Sequence, residues 1–480
     1  MVHKKQLFFW VLTLILMVIS IIKTYAISAD ESVESIHQDA IVVDTHNDTM
    51  MKVVDETTWL PVIDIGGSTP VDFQLNLQKA REGGLDVAFY AAYTDYQRDA
   101  LAVGPRTNSR SLALIHALHW TAARNSEKMI LATRFSEVEK GLASEKHVAM
   151  ASLEGMYGFN EKNAIELLAQ YYDLGIRAAG IVWNAPNALG AGTHVPNHTA
   201  DAGLTELGEE VIREMNRLGI IVDVSHMNET TFYETMSVVT APVIASHSGV
   251  DGVRPHVRNL SDKQLQSIRD NGGVVQINFW RTTVADVGQQ ATISMLVDHI
   301  DYVVEYIGMN HVGLGSDFDG APMPVDLPNA AHLPELTAEL ANRGYSADSI
   351  KKILGGNTME VYKVVEAAAE QTPSSRGIGF TILPQHQMGE ILVDPMPVLK
   401  AKVIGHGGSF VDPAVFRVIV NGIPYEPKWN ASLDELSYQV TEPLMGRGHT
   451  EKSGNFHVVT FEGFQKNYQK VRETTIFYVL

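Results

Sequence analysis

The sequence predicts an α/β protein, a (β/α)8 TIM-type barrel with a small C-terminal β-rich extension. Three observations carry that expectation. Runs rich in Val, Ile and Ala alternate eight times with segments of helical periodicity, and several are apolar nearly throughout, as parallel strands covered on both faces should be. Open doubly wound sheets usually stop at roughly five or six strands, so this repetition favours closure. No Gly-rich phosphate-binding turn follows the first run, which argues against a dinucleotide-binding sheet.

Taken in order, Lys4 and Lys5 precede an apolar run from Leu7 to Ile22, then Lys23 and the stretch Tyr25-Ala26-Ile27-Ser28-Ala29. That is the order of a secretory signal peptide. The run is short for about 30 Å of hydrocarbon, so residues 1–26 read as a cleaved leader and the mature chain as exported, periplasmic or secreted. A membrane tether formed by an uncleaved segment is the alternative. The strand runs are Ile41 to Thr45, Leu85 to Ala92, His147 to Leu153, Ile176 to Val182, Gly219 to Ser225, Ala241 to Ser246, Gly272 to Phe279 and His311 to Ser316. Between them, Leu207, Val211, Met215 and Leu218 recur at helical spacing over Thr205 to Leu218, and Ser261 with Gln264 forms a capping-box pattern. The barrel is expected over 38–370. A Pro/Ser/Gly-rich linker starts near Thr372 and runs through Pro384, Pro395 and Pro397; Phe416 to Val420, the Asn421-Gly422 turn signal, Phe456 to Phe461 and Thr474 to Leu480 then read as strands and hairpins of an extension over 372–480.

The 480 residues suffice for one large domain plus a smaller one. A net charge of −19 opposes encounter with nucleic acid or an anionic membrane surface. With no cysteine in the chain, disulfides and thiolate ligands are excluded, so any transition metal must be held by histidine and carboxylate.

In such a barrel the chemistry sits at the C-terminal ends of the strands. The first predicted strand leads into His46-Asn47-Asp48, the third into Glu154-Gly155, the fifth into His226, the sixth into His247 and the eighth into Asp317. Two residues apart in extended chain, His46 and Asp48 would share a face and chelate one ion. Glu154 has two oxygens with which to bridge two ions, and His226 with His247 would supply imidazole to the second. This all N/O set suits two zinc ions. Two metals about 3.5–4 Å apart bring a bridging water to hydroxide near neutrality and polarise a scissile carbonyl. Asp317, in Gly-Leu-Gly-Ser-Asp-Phe-Asp-Gly, is placed to take that water's proton and pass it to a leaving amine; Asp319 is the better candidate for a turn or helix cap. No Gly-x-Ser-x-Gly elbow stands at a strand end. Arg258, in the loop after His247, offers a bidentate clamp for a substrate carboxylate. Each residue alone has a bland reading as a core, turn or surface group. What changes the weight is their shared position at one end of successive strands. Asn47 and Asn228 begin Asn-x-Thr sequences beside these residues, and chance is the simpler account of them.

The strings Val-Val-Asp-Thr-His46-Asn-Asp48, Ser-Leu-Glu154-Gly, Asp-Val-Ser-His226, Val-Ile-Ala-Ser-His247-Ser, Arg258-Asn-Leu-Ser-Asp and Gly-Leu-Gly-Ser-Asp317-Phe-Asp-Gly, in this order, resemble the membrane dipeptidase (renal dipeptidase) family of zinc peptidases. The likeness covers about residues 38 to 368. It implies an amidohydrolase-type barrel, two zinc ions bridged by Glu154, Asp317 as the acid/base and contact to the substrate amine, and Arg258 on the substrate carboxylate. It also implies cleavage of dipeptides, often with tolerance of a D-residue at the second position. In the animal members a histidine precedes asparagine at the end of the fourth strand and steadies the oxyanion; this chain has Trp183-Asn184 there. Trp183 is therefore expected to face substrate, through its indole N–H or by packing. The tail after about residue 372 has no counterpart in the compact members, and a dimer is one role it could serve.

Two other readings stand beside the exported dipeptidase. A related amidase, lactonase or deaminase would use the same metals without needing Arg258 as a carboxylate clamp. A non-catalytic binding protein is disfavoured by the complete ligand set, since paired carboxylates and histidines without a cation would be poorly satisfied.

Overall fold

The computed structural model describes residues 32–94, 105–195, 203–369, 379–406, 415–444, 455–464 and 470–480. The leader reading at 1–26 lies outside them. Among the described residues, no helix is long and apolar enough to cross a membrane.

Eight parallel strands form the barrel: β1 (Val42–Asn47), β2 (Leu85–Tyr93), β4 (His147–Glu154), β5 (Ile176–Gly180), β6 (Ile221–Asp223), β7 (Ile244–Ser248), β8 (Val274–Asn278) and β9 (Val312–Gly315), hydrogen-bonded in that order, with the short β3 (Met129–Leu131) beside β4. Closure comes from a parallel bridge between Asn47 and Phe318. Its hydrogen bonds, Asp317 N–H to the His46 carbonyl (2.9 Å) and Asp48 N–H to the Phe318 carbonyl (2.8 Å), lie at the barrel mouth. Strands β1, β4, β7, β8 and β9 are buried at every position, which explains why apolar residues stand next to one another along them instead of alternating with exposed polar ones. Val43, Phe89, Val148 and Ile221 pack in one apolar cluster with Tyr362 and Val365 of the 357–368 helix.

The boundaries shift in informative ways. Gly219 does not start β6: at φ +79° it caps the preceding helix, Glu206–Leu218, whose N-cap is Thr205. The capping box of Ser261 and Gln264 opens Asp262–Asn271. β1 continues through His46, while Asp48 has left the extended conformation (φ −104°, ψ 20°) as the N-cap of Thr49–Val53. The expectation that His46 and Asp48 share a face of extended chain is thus replaced by a strand end turning into a helix, which still brings the two side chains together.

The C-terminal residues form two facing sheets. One contains β10 (Phe380–Pro384), β12 (Val398–Gly405), β16 (Glu435–Gln439) and β15 (Lys428–Asn430); the other contains β11 (Glu390–Leu392), β18 (Lys470–Val479), β17 (Asn455–Phe464), β13 (Phe416–Val420) and β14 (Ile423–Tyr425). Asn421 and Gly422 join β13 to β14 with φ of +51° and +81°, as a two-residue hairpin turn requires. The segment expected to be linker already carries β10 and β11. Phe380, Ile382, Leu399, Val418, Phe461 and Phe477 fill the space between the sheets, whereas Phe456, Val458, Ile476 and Tyr478 pack into the barrel's own core.

Candidate active site

The barrel mouth is built from strand ends held by two similar devices. Asp44, buried in β1, accepts hydrogen bonds from Ser316 N–H (2.6 Å) and Ser316 Oγ (2.8 Å), tying β1 to the end of β9. Asp223, buried in β6, accepts from Ser225 N–H (2.9 Å), Ser246 N–H (2.9 Å) and Ser246 Oγ (2.5 Å), tying β6 to β7. Past β6 and β9 the chain turns sharply, and His226 (φ +67°) and Asp317 (φ +65°) are left-handed, a conformation that costs an ordinary residue about 1–2 kcal/mol. His46, Glu154 and His247 stand in the last three residues of β1, β4 and β7.

These side chains converge. His46 Nε2 lies 3.4 Å from Glu154 Oε2 and 3.6 Å from Asp48 Oδ2, while Glu154 Oε1 lies 2.9 Å from His226 Nε2 and 3.5 Å from His247 Nε2. One oxygen of Glu154 thus faces each half of the site. Two groups, His46–Glu154–His247 and His46–Asp48–Asp317, each bring three ligand atoms within 4.8 Å of one another. All these residues are largely buried, and His46 Nε2 and Asp48 Oδ1 have no hydrogen-bond partner among the described residues.

The ring protons can be assigned. Ser246 Oγ donates to Asp223, so it accepts from His247 Nδ1–H (2.8 Å). Asn184 Oδ1 accepts from His226 Nδ1–H (2.8 Å) and from Thr193 Oγ1 (2.7 Å). Both Nε2 atoms are then bare, and they face each other at 2.8 Å. Burial, joined by Arg258 and His46, holds both imidazoles well below their usual range, so neither relieves the opposed lone pairs by protonation. A cation is what such a pair is built to receive. The carboxylates agree: burial raises Glu154 to about 7 and Asp317 to about 6 against the opposing pull of His46. For His46, the nearby Glu154 and Asp48 outweigh burial and hold its pKa above the usual range. Gly320 leaves the needed room, since a Cβ there would overlap Asp48 Oδ2 and stand 2.5 Å from Asp317 Oδ1. The residues fit a metal centre.

Above them opens a cavity of about 410 Å³ lined by Asp48, Glu154, Trp183, Arg258 and Asp317 among others. Arg258 is buried, donates to the His247 carbonyl (3.0 Å) and, lowered by burial to about 10, stays charged at neutral pH. Trp183 packs edge-on to Tyr93, with ring centroids 5.3 Å apart, and lies 5.7 Å from His226. Asn278 donates to Asp317 Oδ2 (3.3 Å). Asp319 caps no helix; it accepts from Thr49 Oγ1, Gln74 N–H and Leu75 N–H and so anchors a neighbouring loop. Asn47 and Asn228 are buried, out of reach of a glycan.

The structure therefore places all eight residues singled out in the sequence (His46, Asp48, Glu154, Trp183, His226, His247, Arg258 and Asp317) around one mouth. The partners that orient them, Asn184, Ser246, Asp223 and Asn278, were not singled out, nor were His194, His256 and Trp280 on the cavity wall. Ser246 and Asp223 lie inside the conspicuous strings, but their role depends on which strands are neighbours.

Residues 30–376 match the model of the membrane dipeptidase family, peptidase family M19. The chain is similar to an uncharacterised dipeptidase of Schizosaccharomyces pombe, at 30% identity over 72% of this chain and 85% of the relative. It is equally similar, at 30% identity, to dipeptidase tcpJ of Claviceps purpurea, over 68% of this chain and 77% of that one. Among solved structures, a metallopeptidase from Rhodobacter sphaeroides liganded with a phosphinate mimic of the dipeptide L-Ala-D-Ala superimposes with a TM-score of 0.61. It is 28% identical, covering 68% of this chain and all of the other.

Proposed function

This chain belongs to the membrane dipeptidase family, a family of metallopeptidases, and from that footing we propose that it is an exported binuclear zinc dipeptidase acting on dipeptides with a free C-terminal carboxylate. The observation that carries the proposal is the pair of three-residue ligand groups sharing His46, set beside a buried, charged Arg258. A pair of zinc ions bound there would supply a water nucleophile near neutral pH and polarise the scissile carbonyl.

The protein's own groups divide the remaining work. His46 and Asp48 would hold one ion, His226 and His247 the other, with Glu154 available to both. Arg258 binds the substrate carboxylate as a bidentate donor, fixing which peptide bond lies over the site. Asp317, raised towards neutrality and held through Oδ2 by Asn278, takes a proton from the attacking water and returns it to the leaving amine. Trp183 forms an apolar wall for a substrate side chain. The phosphinate mimic of L-Ala-D-Ala bound by the Rhodobacter relative supports acceptance of a D-residue at the second position. Export is supported by the leader-like pattern of residues 1–26.

The test is a dipeptide panel containing L-Xaa-L-Xaa and L-Xaa-D-Xaa pairs, run with metal analysis of the purified protein. Two equivalents of zinc, with cleavage abolished by a chelator and restored by zinc, are expected. Inactivity of the zinc-loaded protein on every dipeptide, or cleavage indifferent to chelation, would refute the proposal. N-terminal sequencing of the mature protein checks export, and an intact Met1 would contradict leader cleavage.

A further inference from the structure

We propose that His194 is a catalytic residue, the N–H donor that meets the carbonyl oxygen of the scissile peptide as it gains negative charge. The proposal rests on the dipeptidase reading. A preorganised donor at a developing oxyanion is worth roughly 10²–10³ in kcat, and several of the polar groups around the proposed ligands are already engaged. Arg258 is reserved for a carboxylate. His226 and His247 spend Nδ1–H on Asn184 and Ser246 and turn Nε2 towards Glu154. Asn278 donates to Asp317 and Thr193 Oγ1 donates to Asn184; His256 Nδ1 accepts from the Arg258 backbone N–H and so carries its proton on Nε2, on the wall beside Trp280. His194 lines the same cavity and is exposed to it, and its ring makes no hydrogen bond to any described residue.

The backbone under that ring is unusually well fixed for a loop. Thr193 N–H donates to the His226 carbonyl and His194 N–H to the Asn184 carbonyl, both at 2.9 Å. Gly192 bridges Met227, and a Cβ on Gly192 would overlap the Trp183 carbonyl oxygen, so only glycine lets the loop approach this closely. Thr193 adds its bond to the same Asn184 oxygen that orients His226. The loop is therefore clamped to two strand ends of the mouth, and it carries an imidazole 6.3 Å, centroid to centroid, from Trp183. A rigid mount under an uncommitted donor facing the reaction cavity is the arrangement an oxyanion contact needs.

Steady-state kinetics on the best dipeptide, with zinc content measured on each protein, test this in wild type, His194→Ala and His194→Gln. For His194→Ala, kcat should fall roughly 100-fold or more, with KM within about threefold and zinc content unchanged. His194→Gln, which keeps an N–H donor, should recover most of the loss. The proposal is overturned if His194→Ala retains kcat within threefold, changes only KM or loses zinc, or if His194→Gln is no more active than His194→Ala. An inactive zinc-loaded wild type would overturn the dipeptidase reading itself, and this inference with it.

Discussion

At the scale of single residues, the site depends as much on what orients each ligand as on the ligands. His247 presents a bare Nε2 because Ser246 Oγ, its proton committed to Asp223, can only accept at Nδ1. Replacing Ser246 with Ala removes that acceptor and leaves Asp223 one donor short. Outer partners of metal-binding histidines typically contribute 10–100-fold in affinity, so Ser246→Ala should weaken metal binding by about that factor while the protein stays folded. Competition with a chromophoric chelator measures it, and an unchanged affinity would show that the tautomer is set elsewhere. The ligand residues were legible in the sequence because each stands at the C-terminal end of a recognisable strand. Ser246, Asp223 and Asn184 were not, because the Asp223–Ser246 and Asn184–His226 bonds join segments 23 and 42 residues apart.

At the scale of elements, turns decide how closely the carboxylates approach. Gly320 lies in the turn after β9 and faces Asp48 and Asp317, so Gly320→Ala would push one carboxylate aside. Because the obstacle is side-chain space rather than a left-handed backbone, the fold should survive while activity falls tenfold or more, the scale of a misplacement near 1 Å. Circular dichroism together with kinetics would expose the opposite outcome, in which both fail together. Strand pairing holds a second test. Asp86 in β2 accepts the Val42 N–H at the start of β1 (2.8 Å), and burial raises it to about 6 from an ordinary 3.8. The folded state therefore binds the proton more tightly than the unfolded one, so this contribution is fully present below about pH 4 and is lost as pH rises through 6. Asp86→Asn should raise the Tm at pH 7.5 by a few degrees and leave it unchanged near pH 4, and equal shifts at both pH values would refute this. The eight barrel strands were legible because burial on both faces leaves each with adjacent apolar residues, such as Val42-Val43 and Val274-Val275, where a half-exposed strand would alternate. β3 was missed because three residues show no period, and the end of Gly219's helix was absorbed into β6 because Gly219 adjoins the apolar residues that follow.

At the scale of the whole molecule, the C-terminal sandwich is fastened to the barrel rather than tethered. Gln170, fully buried on the helix Ala164–Asp173 that follows Glu154's strand, donates to the Ile419 carbonyl and Thr460 Oγ1, both at 3.0 Å, and accepts from Gly422 N–H at 2.8 Å. On the same helix, Glu166 pairs with Arg417 (3.2 Å) and Asp173 with Arg472 (2.9 Å). Both arginines also bind Glu462, whose side chain is entirely buried in β17. Burial alone would raise that carboxyl, but Arg472 and Arg417 hold it below its ordinary range, so its contribution is present above the usual carboxylate pKa and fades as pH falls through the lowered folded value. Phe456 N–H on Ser109 Oγ (2.8 Å) and the Tyr478 hydroxyl on the Thr58 carbonyl (3.2 Å) extend the junction to segments that follow β1 and β2. Hairpin signals announced strands in this region but not where they would dock, since nothing local marks Gln170 or Glu462 as junction residues. Removing Glu462 leaves Arg472 largely buried without this partner, a loss of at most about 3–5 kcal/mol. Glu462→Ala should accordingly move the urea midpoint of the whole protein, with dipeptidase activity and tryptophan fluorescence lost together at the lower concentration. If the sandwich unfolded first and activity persisted to the wild-type midpoint, the barrel would be independent of it, and the junction would add nothing to the stability of the active site.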